Sequence, residues 1–231
     1  MVLVSHRREF IFLKTRKTAG TSIELLLEPF CAPPGHLATE VTYQRVSREG
    51  IIGARGTRRR GLGRYFRPDW RNHKPAAAVR RDLGERRWRR YAKITSVRDP
   101  FDRMVSLFHW MTRVDPDSEG AIPAFRSFVK EGRWADDRRV VCIDDAFVPE
   151  HTVRFEHLRH DLAALGRRLD LTIDLSGLPH AKGKPRRLLP SAAYYDPASI
   201  DVVRTRLAWV FENFDYPDRP GDDQSGSEDT P

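Results

Sequence analysis

The stretch FIFLKTRKTAGTSIELLLEPF, residues 10–30, decides the fold of this chain. Its first four residues, 10–13, form a short apolar run that predicts a buried strand, and the polar residues 14–18 end that run. Apolar residues then recur with helical spacing at Ile23, Leu26, Leu27 and Phe30. The order therefore predicts a strand, a loop and an amphipathic helix.

A second strand that leads into a helix is predicted further along the chain. Residues 91–97 favour a strand, which ends at Arg98. Asp99 and Pro100 follow, and these residue types are preferred at the N-cap and at the first position of a helix. The helix that they begin carries an apolar stripe at Phe101, Met104, Val105, Phe108 and Met111.

Strands and helices alternate over most of the chain, which indicates an α/β fold with a central, mainly parallel sheet flanked by helices. The length of 231 residues suits one domain, so we expect residues 1–216 to form it. Residues 198–214 predict the last helix, and residues 217–231 predict an acidic, disordered tail. Residues 31–70 show no regular pattern and are expected to be either a surface insertion that shapes a binding cleft or a connecting segment.

The charge balance is basic, with 41 Lys and Arg against 32 Asp and Glu and a formal net charge of +9. Such a balance suits a polyanionic ligand such as a nucleotide, a sulfated sugar or nucleic acid, although a solvated, arginine-rich surface would give the same composition. Two cysteines provide no disulfide framework. Residues 1–14 contain charges and no apolar run long enough for a signal sequence or membrane span, so we expect a cytoplasmic protein without membrane association.

The loop between the first strand and the first helix has the composition of a phosphate site. Backbone N–H groups and the helix dipole create an anion site at such a junction. Small residues let a phosphate approach the backbone, while hydroxyls and a lysine add donors and charge. The residues concerned are Lys17, Thr18, Ala19, Gly20, Thr21 and Ser22. A simpler alternative is that Thr21 and Glu24 only form a capping box.

Arg98 and Ser106 form a second candidate group at the end of the second strand and on the following helix. An arginine beside a helix amino end can bind one phosphate with two N–H groups, and a serine of the same helix can add a hydroxyl. The alternative is an Arg98–Asp99 surface contact with Ser106 in solvent.

Taken together, residues 17–22 and 97–106 resemble the paired signatures of the sulfotransferase family, which uses 3'-phosphoadenosine 5'-phosphosulfate (PAPS). The resemblance is densest over residues 10–28 and 72–110, and it extends to bacterial carbohydrate sulfotransferases of the heparan 2-O type. It implies a P-loop-like, nucleotide-binding sulfotransferase fold. It also implies sulfuryl transfer from PAPS, by in-line displacement, to a hydroxyl of a carbohydrate or small molecule.

The same resemblance implies roles for individual residues. The loop would hold the 5'-phosphosulfate, while Arg98 and Ser106 would hold the 3'-phosphate. Lys17 would stabilise charge on the leaving oxygen. Family members often have a proline where this chain has Arg16, and we expect Arg16 to add a phosphate contact. No metal is expected, because a sulfuryl group carries less charge than a phosphoryl group.

A hydroxyl acceptor also needs a general base, and His73 is our first candidate. It precedes a predicted helix and the second strand, and the free pKa of a histidine suits neutral pH. The resemblance to heparan 2-O-type enzymes, which place a histidine base upstream of the 3'-phosphate strand, supports it. Glu24 is the alternative, because some relatives use a glutamate near the first loop.

Two other functions fit part of the sequence. A P-loop kinase would share the fold, but the motif G-x-x-x-x-G-K-[ST] is absent from the chain. A nucleic-acid-binding module would explain the arginines and leave both phosphate motifs unexplained, so a nucleic-acid partner is not expected. The roles of the basic segments 55–60 and 182–187, the acceptor and the oligomeric state are not indicated by the sequence.

Overall fold

A computed structural model describes residues 1–39, 43–55, 68–178 and 189–221. The chain divides into two compact units. Unit 1 comprises Met1–Val97 and Asp137–Ala181, and unit 2 comprises Arg98–Asp136 and Lys182–Pro231.

The structure leaves several sequence predictions untested, among them the bounds of the domain and the order of the tail. The interpretation of residues 1–216 as one domain stays a prediction. Most of the predicted acidic tail, residues 222–231, lies outside the described residues, as do the basic segment 182–187 and residues 56–60 of the other basic segment. Within the described part of the chain, no helix combines the length and the apolar character that a membrane crossing requires.

Eight strands and nine α-helices lie in the described residues. The strands are β1 (Val2–Ser5), β2 (Phe10–Leu13), β3 (Arg45–Val46), β4 (Gly50–Ile52), β5 (Ala92–Val97), β6 (Cys142–Ile143), β7 (Ala146–Phe147) and β8 (His151–Arg154). The helices are α1 (Gly20–Leu27), α2 (Ala76–Leu83), α3 (Glu85–Arg90), α4 (Pro100–Thr112), α5 (Ala121–Glu131), α6 (Arg138–Val141), α7 (Leu158–Arg168), α8 (Pro197–Arg206) and α9 (Ala208–Asn213).

Unit 1 is built on a six-stranded sheet in the order β3-β4-β1-β2-β5-β8. The pairs β2–β5 and β5–β8 are parallel, whereas β1 is antiparallel to both β2 and β4. It follows that β4, β2, β5 and β8 run in one direction, which confirms the α/β fold with a mainly parallel central sheet.

The order of the central strands brings two predicted strand ends together. Leu13, the last residue of β2, lies opposite Thr95, and β5 ends two residues later at Val97. All four residues of β2 are completely buried, as expected for a strand covered on both faces. The loop after β2 therefore begins next to the carboxyl end of β5.

The core of unit 1 includes residues of α1, α7 and the central strands. Ile23 and Leu27 of α1 and Leu162 of α7 are fully buried against the strand residues of the same cluster. The strand members are Leu3, Phe10, Phe12, Ile52, Ile94 and Val153. Burial of this apolar surface fixes α1, and with it the loop that precedes α1, against the sheet.

Unit 2 contains α4, α5, α8 and α9 around an aromatic cluster. Phe101 packs edge-on against Tyr195, with ring centroids 5.2 Å apart, and Phe125 packs edge-on against Tyr195 at 4.9 Å. Asp99 caps α4 by accepting a hydrogen bond from the backbone N–H of Asp102, and Pro100 occupies the first turn. The predicted start of this helix is confirmed.

The structure corrects three details of the sequence predictions. Met111 is 46% exposed and so lies outside the apolar face of α4. The predicted helix over residues 198–214 is two helices, α8 and α9, separated at Leu207. No side chain caps α1, whose N-cap is Ala19, so the Thr21–Glu24 capping box does not form.

Candidate active site

The loop between β2 and α1 is fastened to β5 by buried hydroxyl groups. Thr15 donates to the backbone carbonyl of Ser96, and the hydroxyl of Thr18 lies 2.8 Å from that of Ser96. On the neighbouring residue, the Thr95 hydroxyl donates to the Leu13 carbonyl at 2.7 Å. The loop conformation is therefore set jointly by β2 and β5.

The loop between β2 and α1 leads into a helix that no side chain caps. Lys17 and Ala19 both have left-handed conformations, with φ values of 65° and 57°. The first N–H groups of a helix have no carbonyl partner within the helix, and α1 has no side-chain cap. The amino end of α1 therefore presents donors and a positive dipole to an anion, with half-buried Ser22 in its first turn.

A buried ion pair supports the loop from beneath. The Nζ of Lys14 donates to Glu24 at 2.6 Å and to the Thr21 hydroxyl at 3.1 Å. Glu24 is fully buried, and Arg55 lies 3.7 Å from the same carboxylate. Glu24, the alternative candidate for the base, thus lies inside unit 1 with Lys14 and Arg55 beside its carboxylate.

Arg16 is held by a residue far away in the sequence. Its backbone N–H donates to the Asp137 carboxylate at 2.7 Å, and its guanidinium forms an ion pair with the other carboxylate oxygen. The side chain of Asp137 is completely buried. This contact fixes the position of Arg16, and its expected phosphate contact stays a prediction.

The structure brings His73 to the loop that precedes α1. The Nδ1 atom of His73 lies 2.9 Å from the backbone carbonyl oxygen of Lys14. Because a carbonyl oxygen can only accept, Nδ1 carries a proton and Nε2 keeps a lone pair. Burial, followed by the positive charge of Arg16, lowers the pKa of His73 to about 3. The imidazole is therefore neutral at neutral pH, and with this pKa it is a weaker proton acceptor than an unperturbed histidine.

Arg98 and Ser106 lie in unit 2, where Arg98 contacts Asp102. A guanidinium nitrogen of Arg98 lies 3.4 Å from the Asp102 carboxylate, one helical turn away. Ser106 is half-buried on α4. Their assignment to a 3'-phosphate stays a prediction.

Four residues of this region were missed by sequence reasoning: Lys14, Thr15, Ser96 and Asp137. Lys14 and Thr15 precede the predicted motif. Because they are polar residues directly after a buried strand, the sequence could have indicated them as part of the site. Asp137 gave none, because its only link to Arg16 is tertiary. Among the described residues, no cluster of three or more His, Cys, Asp or Glu side chains could hold a metal ion.

The fold and the loop define an α/β protein with a candidate anion site at the junction between a buried strand and an uncapped helix. A comparison with protein families matches residues 1–187 to the sulfotransferase family. The chain belongs to that family, and it is a transferase of sulfuryl groups. No curated protein and no solved structure matched the chain.

Proposed function

We propose that the chain transfers a sulfuryl group from PAPS to a hydroxyl of an acceptor, a carbohydrate or small molecule, in the cytoplasm. The observation that carries this proposal is the hydrogen bond between His73 and Lys14. It joins the candidate base to the loop that has the chemistry of a phosphate site. Family membership supports sulfuryl transfer in general.

The residues of the loop fit the 5' end of such a donor. The uncapped amino end of α1 supplies N–H groups, Lys17 supplies a positive charge, and the Thr21 hydroxyl, which accepts from Lys14, keeps its own hydrogen for donation. The buried hydroxyl of Thr18 bonds to Thr15 and Ser96 and so fastens the loop, and the expected contact of Thr18 with the phosphate would use its backbone N–H. When bound, PAPS supplies the sulfuryl group and leaves as adenosine 3',5'-bisphosphate.

His73 is the better candidate for the base. Its Nδ1–H is oriented by the Lys14 carbonyl, which leaves Nε2 to accept a proton from the acceptor hydroxyl. The Glu24 carboxylate, in contrast, is completely buried and bonded to Lys14. Lys17 would stabilise the charge that develops on the leaving oxygen.

Calorimetry tests the donor. Adenosine 3',5'-bisphosphate should bind at least about tenfold more tightly than ADP, because an additional charge-assisted contact contributes on the order of 1.4 kcal/mol or more. Equal affinities, or tighter binding of ADP with Mg²⁺, would contradict the proposal and favour a kinase-like activity. A screen of hydroxyl acceptors with labelled PAPS then identifies the product.

Variants test the residue roles. Lys17→Ala should lower the turnover of PAPS by about a hundredfold or more. His73→Ala should abolish most turnover while leaving the affinity for adenosine 3',5'-bisphosphate unchanged. Arg86→Ala, which removes an exposed positive charge from α3, is the control and should keep normal turnover. Near-normal turnover of His73→Ala at unchanged nucleotide affinity would show that His73 is not the base.

A further inference from the structure

Unit 1 contains a second concave feature, which none of the loop residues lines. It is a cleft of about 720 Å³ between the β3–β4 hairpin, the residues before α2, and α2 and α3. This volume lies in the range of small-molecule sites, about 300–1,000 Å³. Its apolar lining includes Val46, Ile51, Trp70 and Leu83.

Two arginines from different elements line this cleft. Arg48 lies in the turn between β3 and β4, and Arg87 lies on α3. The next residue of that turn, Glu49, accepts a hydrogen bond at its carbonyl from the His6 N–H at 2.8 Å. Burial first, and then the charge of Arg87, lowers the pKa of His6. Arg87 therefore lies near His6, and the turn that carries Arg48 is bonded to the His6 backbone.

The sheet register places the part of the cleft near His6 away from the phosphate loop. His6 follows Ser5, which pairs with Phe10 at the start of β2, whereas the loop follows Leu13 at the other end of that strand. The turn that carries Arg48 and the helix that carries Arg87 therefore lie near the amino ends of β2 and β5. Any anion that they bind is distinct from one bound at α1.

The charges that line the cleft are not balanced. Neither Arg48 nor Arg87 forms a salt bridge within the described part of the chain, and both side chains belong to exposed residues. The one carboxylate of the lining, Asp82, is already bonded to Lys74 at 2.5 Å and to Arg81 at 2.8 Å. The cleft thus combines an apolar wall with two guanidinium groups that form no ion pair among the described residues, although the Glu49 carboxylate interacts with Arg48 at longer range. Guanidinium is the donor type that best matches a carboxylate or sulfate.

We propose that this cleft is a second ligand site, which binds an organic anion with an apolar body. A carboxylate or sulfate group of the ligand lies between Arg48 and Arg87, and its body packs against Val46, Ile51 and Leu83. The site goes beyond the proposed sulfuryl transfer, and it does not depend on which nucleotide the loop binds.

Calorimetry with naphthalene-2-carboxylate tests the proposal, and naphthalene-2-carboxamide serves as the neutral probe of the same shape. The carboxylate should bind at least about tenfold more tightly than the amide, because hydrogen bonds to charged groups are the stronger ones. Arg48→Ala and Arg87→Ala should each weaken binding of the carboxylate by about five- to tenfold. Arg86→Ala removes an exposed arginine of α3 that does not line the cleft, and it should change the affinity by less than about twofold.

Three outcomes would overturn the inference. They are equal affinities for the two probes, an unchanged affinity in the Arg48→Ala/Arg87→Ala double variant, and displacement of the carboxylate by adenosine 3',5'-bisphosphate. The last result would assign the probe to the nucleotide site. Because the probe experiment contains no PAPS, its failure leaves the proposed sulfuryl transfer standing, and failure of nucleotide binding leaves the cleft standing.

Discussion

At the scale of single residues, the candidate site depends on a histidine whose proton affinity is set by its surroundings. His73 has a left-handed backbone conformation, with φ of 53°, and this turn directs Nδ1 to the Lys14 carbonyl. Burial and Arg16 both disfavour the protonated ring. The positive charges that would suit a phosphate therefore also keep the candidate base neutral, since they repel a proton.

This arrangement predicts a loss of stability in acid. The folded pKa of His73 is about 3 against 6.5 for a free histidine, so between these values the unfolded chain binds a proton that the folded chain does not. The contribution of His73 is complete above pH 6.5 and decreases as the pH falls towards 3, by about 1.4 kcal/mol per pH unit. Urea unfolding above and below pH 6.5 should show a steeper loss for the wild type than for His73→Gln.

The control for this measurement is Arg86→Gln, because Arg86 is exposed on α3 and keeps its charge over this whole range of pH. That variant should follow the wild-type dependence on pH. Parallel curves for the wild type and His73→Gln would mean that His73 is not the group that titrates.

At the scale of elements, the junction between β2 and α1 explains why one position must be glycine. A Cβ at Gly20 would lie 2.8 Å from both Cγ and Cε of Lys14, whose side chain passes beneath the helix end to reach Glu24. The Cγ atom is close to the backbone and cannot move far. Gly20 therefore gives the buried ion pair room, in addition to the phosphate approach that the motif predicted.

Gly20→Ala should consequently destabilise the protein by about 1–3 kcal/mol, the usual cost of overpacking a closely packed site. Chemical denaturation measures this change. Gly120→Ala is a matched control, because no atom lies within 4 Å of a Cβ at that helix N-cap and its φ is −85°. At this N-cap, the loss of a favourable glycine and the smaller entropy of the unfolded chain with alanine oppose each other, so the control should change stability by less than about 1 kcal/mol. An equally small effect at Gly20 would show that the Lys14 packing is not constraining.

Elements with clear periodicity could be predicted from the sequence, and those built around close backbone contacts could not. The strand at residues 10–13 was predicted with its observed bounds, and α4 with its cap. In contrast, β4 begins with Gly50, which suggests a loop in sequence, yet a Cβ there would lie 2.1 Å from the Val4 carbonyl oxygen. Glycine marks close approach of β1 at that point, and only the tertiary structure shows this.

The same distinction applies to the candidate site. Lys17 and the residues around it form one contiguous motif, so local chemistry was sufficient to select them. The contact of His73 with Lys14 joins residues far apart in sequence, and the family resemblance rather than the spacing selected it. Neither the local motif nor the family resemblance predicted the contact of Arg16 with Asp137.

At the scale of the whole molecule, a net charge of +9 attracts anions to the entire surface, so specific sites must be separated from general attraction. At physiological ionic strength, salt screens this general electrostatic attraction at distances beyond about 8 Å. Binding of the naphthalene-2-carboxylate probe and of adenosine 3',5'-bisphosphate should therefore be compared at physiological salt or above. Under these conditions, affinity that persists reflects groups arranged around the ligand.

The two proposed sites then predict additive stabilisation. A ligand present at about ten times its Kd stabilises the folded state by RT ln(1 + [L]/Kd), about 1.4 kcal/mol. If adenosine 3',5'-bisphosphate binds at the loop and naphthalene-2-carboxylate in the cleft, both together should raise the free energy of unfolding by about 2.8 kcal/mol. Competition for one site would give only about 1.8 kcal/mol. Urea unfolding with each ligand and with both distinguishes the two values, and in the Arg48→Ala/Arg87→Ala variant the carboxylate should lose most of its contribution while the nucleotide keeps its own.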